Sequence, residues 1–184
     1  MKNTIEEIAW ISRIVLFNDE RAFGKLLDRY HPLVRRLMLA QTGGDEDLSD
    51  DLTQEVFIKV WLNIRSFSMK SRFSTWIYRI ATNEAFNFLR KQKLRTIFSL
   101  NSSDSILVRK LEQDAYFNGD KLQTELQKAI IRLPEKQRIV FNLRYFEEMK
   151  YEDISEITGT SVGALKASYH HAYNKVKEEI QKSF

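Results

Sequence analysis

Cysteine is absent from the 184 residues of the chain, and glycine and proline are scarce, with six and two residues. The lack of cysteine excludes disulfides, thiolate metal sites and cysteine nucleophiles, and it is typical of a reducing compartment. The lack of glycine and proline leaves few residues for hairpin turns or for a glycine-rich phosphate loop. Because 43% of the residues are apolar, the chain can build one or two small cores. The composition predicts an all-α protein.

Signals for export or membrane insertion are also missing. The first nine residues include Glu6 and Glu7, whereas a secretory signal peptide begins with basic residues and continues in a long apolar run. No stretch approaches the roughly 18 consecutive apolar residues that a membrane-spanning helix needs. The sequence therefore predicts a cytoplasmic protein without a membrane-inserted segment.

Charge is distributed unevenly along the chain. Lys and Arg number 29 and Asp and Glu 25, which gives a formal charge of +4 and a pI of about 9.2. Residues 70–95 hold seven basic residues and one acidic residue, while residues 45–55 hold six acidic residues and no basic residue. A basic segment is typical of a surface that binds a polyanion, and an acidic segment favours a cationic partner.

Apolar spacing predicts amphipathic helices at residues 51–64 and 72–90, with a short polar loop at 65–71 between them. On the polar side of the second helix, asparagines can pair with base edges and an exposed Phe86 can stack on an unpaired base. Packing of Phe86 under the linker is the alternative. This polar side consists of Arg79, Thr82, Asn83, Phe86, Asn87 and Arg90.

A stretch rich in Ser, Asn and Asp separates the two halves of the chain. Residues 99–120 have weaker helical periodicity than their flanks and a net charge of −2, in contrast to the basic segment before them. We expect two helical domains, at residues 1–96 and 121–184, joined by a flexible linker at residues 97–120.

The second half has the pattern of a four-helix helix-turn-helix domain. Pro134 is suited to the first turn of the second helix, and a short third helix from about residue 151 breaks at Gly159, which tolerates left-handed backbone. Thr160 or Ser161 then provides the N-cap of the fourth helix. This pattern is typical of a helix-turn-helix, although any small helical bundle can place a glycine between two helices. The apolar stripe of the first helix consists of Leu122, Leu126, Ala129, Ile130 and Leu133.

The fourth helix is expected to expose a polar face opposite its apolar stripe. Small side chains let such a face approach base edges, and Lys and His offer hydrogen-bond donors. An ordinary solvated face is the alternative interpretation of the same residues. The face consists of Gly163, Lys166, Ala167, His170, His171 and Asn174.

Five short strings carry a family resemblance. The first half contains DLTQEVFIKVW at residues 51–61 and FSTWIYRIATN at residues 73–83, and the second half contains LPEKQR at 133–138, YEDISEI at 151–157 and SVGALK at 161–166. The first two resemble the promoter-melting domain of the extracytoplasmic-function (ECF) sigma factors of bacterial RNA polymerase, in the sigma-70 superfamily. The other three resemble the −35-reading domain of the same family, in matching order and spacing.

The resemblance implies that the chain binds core RNA polymerase, through its β′ and β subunits, together with promoter DNA. In the family, the helix that carries the first string docks on a basic coiled coil of the β′ subunit, where carboxylates accept from arginines. Asp47 and Asp50 are interpreted instead as partners of the helix dipole. The implied polymerase-binding residues are Asp51, Gln54, Glu55 and Lys59.

The resemblance also implies two DNA-binding surfaces. The loop before the second string would capture a base flipped from the −10 element, and the helix after it would read neighbouring bases and phosphates. The fourth helix of the second domain would read the −35 element, with its N-terminus available to a phosphate. Trp76 and Ile80 are assigned to the core. The implied −10 residues are Phe67, Lys70, Ser71, Arg72, Ser74, Thr75, Asn83, Asn87, Arg90 and Lys91. The implied −35 residues are Ser161, Val162, Gly163, Ala164, Lys166, Ala167, His170 and His171.

The chain departs from the family in its recognition helix. Ser168, His171 and Tyr173 stand where family members commonly carry arginine, which puts the expected arginine contacts to guanine in question. An anti-sigma factor is a further partner that the resemblance implies, because the chain carries no sensory domain of its own.

Other classes of function explain less of the sequence. A zinc or hydrolytic site is not expected, because no carboxylate or cysteine stands at metal-ligand spacing beside His31, His170 or His171. We therefore expect no catalytic residue, metal or cofactor. A stand-alone helix-turn-helix regulator would leave the strings of residues 51–83 unexplained, and a helical adaptor would leave the charge segregation unexplained. The sequence favours a sigma factor that reads the −35 and −10 elements and assists strand opening.

Overall fold

Helices make up the first domain in the computed structural model, which describes residues 2–98 and 121–183. Within these two ranges there is no β-strand, and the all-α prediction is confirmed. The first domain also contains a 3-10 turn, Ile64–Ser66, between its last two helices. Its helices are α1 (Lys2–Phe17), α2 (Glu20–Thr42), α3 (Glu46–Asn63) and α4 (Phe73–Phe98).

Local capping explains where the helices of the first domain begin and end. The carboxylate of Asp19 accepts a hydrogen bond from the Ala22 N–H at 3.0 Å, and Asp45 does the same for Leu48 at 3.1 Å. Each carboxylate satisfies a backbone donor that has no partner inside its helix. At the other end of α2, Gly43 adopts the left-handed conformation with φ 75°, as a C-terminal cap requires.

The two predicted helices of this domain are longer than their apolar patterns indicate. The helix expected at 51–64 begins at Glu46, because Asp45 provides its N-cap. The helix expected at 72–90 continues to Phe98, through Lys and Gln residues that favour helix without forming an apolar stripe. It includes the first two residues of the predicted linker, and the rest of that linker, residues 99–120, lies outside the described residues.

The second domain has the expected helix-turn-helix. The Ser161 hydroxyl accepts from the Ala164 N–H at 3.4 Å, and Gly159 takes the left-handed conformation with φ 67°. These two residues turn the chain from the third helix of the domain into the fourth, as the sequence predicts. Pro134 precedes the first turn of its helix as the N-cap residue. The helices are α5 (Lys121–Ile131), α6 (Glu135–Phe141) with a π-helical turn at Asn142–Phe146, α7 (Tyr151–Thr158) and α8 (Val162–Lys182).

Each domain has buried apolar residues at its centre. Val34, Val56 and Ile77 are completely buried in the first domain, and Ile130 and Ala172 are completely buried in the second. Burial of such side chains contributes about 1.5 to 3 kcal/mol each. One stripe prediction was wrong. Leu122 lies in the first turn of α5 with half of its surface exposed, while the stripe is buried from the middle of that helix onward.

The two domains pack against each other, and this contact changes the polar side predicted for α4. Because α7 lies against α4, Thr82 is buried. Phe86 packs partly buried against the apolar core, so the prediction that its ring is exposed was wrong. Arg138 in α6 also crosses between the domains, donating from Nη1 to the Ala40 carbonyl at 2.8 Å. None of the helices in the described ranges is both long and apolar enough to cross a bilayer.

Candidate nucleic-acid and partner interfaces

Five of the predicted −10 residues line one cleft of about 740 Å³. We call this space the capture cleft. Its basic residues, Lys70 and Arg72, are exposed, and aromatic and aliphatic side chains from α1, α2 and α4 form its apolar part. A cleft with cations at its rim and rings inside it can hold a nucleobase and its phosphate at the same time. The five residues are Phe67, Lys70, Ser71, Arg72 and Ser74.

Three aromatic rings form one wall of the capture cleft. The Phe67 ring lies 5.3 Å from Phe73 and 5.5 Å from Trp76, and the last two rings stack at 5.4 Å. Phe73 is almost fully buried, whereas Phe67 and Trp76 are only partly buried. The cluster fixes the loop to the start of α4, so Phe67 acts as a wall of the cleft as well as a surface on which a base can stack.

Met69 is a cleft residue that the sequence analysis missed. Its side chain is half exposed and its backbone has φ 57°, a conformation that costs energy for a residue other than glycine. A local string gives no sign of this backbone conformation. Thr75, in contrast, is fully buried, and its hydroxyl makes no hydrogen bond. Its predicted DNA contact stays a prediction, and Thr75 does not line the cleft.

A second polar groove, of about 320 Å³, lies between the C-terminal end of α3 and one face of α4. Asn83 and Asn87 line it, as expected of residues that face a DNA strand, together with Asn63 from α3. Amide side chains carry both donors and acceptors and can pair with base edges. Arg90 donates to the Asn87 side-chain oxygen at 2.5 Å, which positions this amide. Lys91 follows on the exposed side of α4.

Lys59 faces this groove, although the sequence analysis grouped it with the polymerase-binding residues. Its Nζ donates to the carboxylate of Glu84, a side chain of α4 that is almost fully buried. A buried carboxylate needs a cation nearby, so the pair ties α3 to α4. The predicted polymerase contact of Lys59 remains untested, and the structure gives this side chain a different neighbour.

The other predicted polymerase-binding residues share an exposed face of α3. Asp51, Gln54 and Glu55 are all exposed. Two apolar residues on the same face, Ile58 and Leu62, are 53% and 70% exposed. The sequence held a signal for both, since they lie outside the apolar stripe of this helix and at helical spacing from Asp51 and Glu55. An acidic helix face with an exposed apolar end fits a partner that is basic and partly apolar.

Neighbouring acidic residues of α3 are engaged within the domain. Asp50 accepts a hydrogen bond from Arg35 at 2.5 Å, and Glu46 lies 3.4 Å from the same guanidinium. The hydrogen bond with Asp50 raises the pKa of Arg35. The helix-dipole interpretation of Asp50 therefore omits its nearest partner, which comes from α2.

The recognition helix α8 presents its predicted face to solvent. Gly163, Lys166, His170 and His171 are all exposed. A Cβ atom at Gly163 would meet nothing within 4 Å, so packing within the chain does not require glycine there. The open space allows another molecule to approach the backbone closely. The other exposed residues of the predicted −35 set are Ser161, Ala164 and Ala167, while Val162 is partly buried.

Two contacts orient polar side chains on this face. The Lys166 ammonium lies 5.9 Å from the centre of the Tyr151 ring, and a ring nitrogen of His170 lies 3.3 Å from the Asn174 amide nitrogen. Both contacts are between exposed or partly exposed groups, so these side chains can exchange them for contacts with DNA.

Comparisons with known proteins cover nearly the whole chain. A family model described as "Sigma-70 region 2" matches residues 26–95, and one described as "Sigma-70, region 4" matches residues 123–176. The chain is 30% identical to the ECF RNA polymerase sigma factor SigW of Bacillus subtilis (strain 168), over 89% of this chain and 91% of the relative. It is 31% identical to the ECF RNA polymerase sigma-E factor of Haemophilus influenzae, over 89% of each chain.

Two solved structures share the fold. The sigma factor RpoE of Bartonella quintana, determined in complex with the anti-sigma factor NepR, has a TM-score of 0.68 at 24% identity and covers 86% of this chain and 96% of its own. CnrH, determined in complex with the cytosolic domain of CnrY, has a TM-score of 0.69 at 18% identity and covers 97% of this chain and 99% of its own.

Proposed function

The chain belongs to the ECF sigma factors of the sigma-70 family, which bind core RNA polymerase and direct it to promoters, and we propose how its surfaces divide this work. The observation that carries the proposal is the grouping of five predicted −10 residues around the capture cleft. The chain acts by binding, and the proposed work requires no catalytic group of its own. We place it in the cytoplasm, where the polymerase and the promoter are.

Docking on the polymerase is assigned to the exposed face of α3. Asp51 and Glu55 supply acceptors for basic residues of the β′ subunit, and Gln54 adds an amide beside them. Ile58 and Leu62 extend this surface with apolar area, whose burial strengthens an interface that charges alone hold weakly. Both apolar residues are exposed in the free chain and stabilise nothing there, which supports an external partner.

Strand opening is assigned to the capture cleft and the amide groove beside it. Flipping a base out of the duplex costs a few kcal/mol, which contacts in a pocket must offset. The Phe67 ring offers a stacking surface, Lys70 and Arg72 attract the phosphates, and Asn83 and Asn87 pair with the edges of neighbouring bases. Together these contacts favour the single-stranded form of the −10 element.

Duplex recognition at the −35 element is assigned to α8. Lys166, His170 and His171 donate hydrogen bonds, and Gly163 lets the N-terminal end of the helix approach a phosphate. The absence of arginine at Ser168 and His171 leaves the electrostatic attraction to Lys166 and to the helix end. The −35 contacts are therefore fewer and weaker in charge than arginine-rich recognition helices provide.

The boundaries proposed for the two domains are residues 1–96 and 121–184, with residues 97–120 as the connection between them. An anti-sigma factor is a proposed further partner, supported by the fold that the chain shares with sigma factors solved in complex with such proteins. It is a partner of the whole chain, and no residue is assigned to it.

The test is promoter opening by the reconstituted holoenzyme, on a promoter selected with the same holoenzyme. Lys70→Ala and Asn83→Ala should each reduce opening, measured by permanganate reactivity of unpaired thymines. Lys177→Ala, which removes an exposed cation from the far end of α8, is the matched control and should open the promoter normally. Normal opening by both cleft and groove variants would reject the assignment.

A further inference from the structure

One wall of the capture cleft comes from the other domain. Asp153 and Glu156 in α7 line the cleft together with the basic residues Lys70 and Arg72 of the capture loop. A neighbouring cleft of about 380 Å³ is lined by Asp153, Arg72 and Ser74, so Asp153 lies where the two spaces meet. The acidic side chains of α7 thus stand in the space that the proposed function gives to a negatively charged DNA strand.

An ion pair and a hydrophobic contact hold α7 against the first domain. Arg79 in α4 donates to the carboxylate of Glu156, and both side chains remain substantially exposed, so this pair is a weak one. Glu7, a third acidic residue of the cleft, is bonded within its own domain to Tyr30 at 2.8 Å and to Arg29 at 3.4 Å. Only the two acidic residues of α7 can leave the cleft together with the second domain.

The face of α4 under this contact is polar and incompletely satisfied. The hydroxyls of Thr75 and Thr82 and the Nε of Arg79 are buried without a hydrogen bond. These three residues share one side of the helix, at positions that follow its turn. Unsatisfied buried polar atoms oppose the packing that buries them, so the contact between α4 and α7 is one that separation of the domains partly relieves.

We propose that α7 is an internal competitor of DNA, whose carboxylates occupy the capture cleft in the free chain and leave it when the domains separate on the polymerase. Asp153 and Glu156 neutralise Lys70 and Arg72 and exclude phosphates from them. The free chain then binds single-stranded DNA weakly, and the cleft becomes available only in the holoenzyme. This inference rests on the proposed role of the capture cleft.

The experiment measures binding of free, full-length chain to a fluorescein-labelled single strand of mixed sequence, of about 12 nucleotides, by fluorescence anisotropy. Asp153→Asn with Glu156→Gln should tighten binding about tenfold at about 50 mM salt and steepen its salt dependence, because two cations become available to phosphates. Glu152→Gln with Glu178→Gln is the control. It changes the net charge equally on exposed residues outside the cleft and should alter affinity less than about twofold.

Equal tightening by both double variants would overturn the proposal, since overall charge would then account for the effect. No tightening by Asp153→Asn with Glu156→Gln, in a chain whose circular dichroism is unchanged, would overturn it as well. Glu156→Arg is a second variant, which places like charges beside Arg79 and should tighten binding further. Lys70→Ala added to the neutralised chain should remove the gain.

The holoenzyme separates failure of this inference from failure of the proposed function. If Lys70→Ala opens promoters normally, the capture cleft itself has been misassigned. If Lys70→Ala impairs opening while neutralising Asp153 and Glu156 leaves the free chain unchanged, only the competition by α7 is wrong. In the holoenzyme the neutralised chain should open promoters as the original does, because α7 has already left the cleft.

Discussion

In the capture cleft, Phe67 packs on Phe73 and Trp76 and two acidic residues arrive from another domain, whereas on the recognition face Lys166 and His171 extend from one helix into solvent. The cleft therefore depends on distant parts of the chain for its shape. The recognition face depends only on α8 being a helix. Substitutions in the cleft should alter stability and function together, and substitutions on the face should alter function alone.

The largest expected effect is on the stability of the cleft. Phe73→Ala removes a ring that contacts Tyr30 at 5.4 Å as well as Phe67 and Trp76, and it should lower the free energy of unfolding by about 3 to 5 kcal/mol. Urea denaturation measures this loss. Met69→Ala, at an exposed position of the same cleft, should change stability by only about 0.5 kcal/mol. Similar losses for the two variants would show that the rings do not hold the cleft together.

The exposed face of α3 extends the comparison to a protein partner. Asp51→Lys with Glu55→Lys should weaken binding to core polymerase about tenfold or more, because each reversal replaces attraction by repulsion. The free energy of unfolding should stay the same, since both side chains are exposed. Glu20→Lys with Glu178→Lys provides an equal charge change on other exposed residues, and polymerase affinity should survive it. Unchanged affinity of the Asp51 and Glu55 variant would reject the docking surface.

A smaller effect is expected from a single cation of the recognition face. Lys166→Ala should lower affinity for duplex −35 DNA and reduce the salt slope by up to about one unit, because one phosphate contact is lost. Stability should be unaffected. A salt slope that stays the same, measured by titration at several salt concentrations, would show that Lys166 does not contact phosphate.

The smallest effect separates stability from function at a glycine. Gly163→Ala should stabilise the chain by up to about 0.5 to 1 kcal/mol, since alanine favours helix and meets no atom within 4 Å. It should nevertheless weaken −35 binding if DNA approaches the backbone there. Gly24→Ala in α2 is the control, with the same free space around the added atom and no assigned DNA contact. Equal DNA affinity of the two variants would remove Gly163 from the recognition face.

The same difference explains which features the sequence could predict. Gly159 and Ser161 were found because a helix end and an N-cap are set by neighbouring residues. Thr82 and Phe86 were misplaced because their burial depends on the packing of the helices around α4, which no local pattern contains. Lys59 was grouped by its position in a string, while its side chain turns to Glu84 on another helix.

The surfaces of α3 and the cleft follow the same rule. Ile58 and Leu62 could have been recognised from sequence, because they break the amphipathic pattern of their own helix. The left-handed backbone of Met69 could not, since it is imposed by the loop around it. The residues that a helix sets by itself were predictable, and those that several elements set together required the structure.

The division of labour between cleft and recognition face is tested most directly by comparing duplex templates with templates that carry a pre-melted −10 bubble. Unstacking costs a few kcal/mol, and the bubble supplies that energy in advance. Initiation by the Lys70→Ala holoenzyme should be impaired on duplex and largely restored on the bubble, while the Lys166→Ala defect should persist on both at limiting DNA. A Lys166→Ala defect that disappears on the bubble, or a Lys70→Ala holoenzyme that opens duplex promoters normally, would contradict the division.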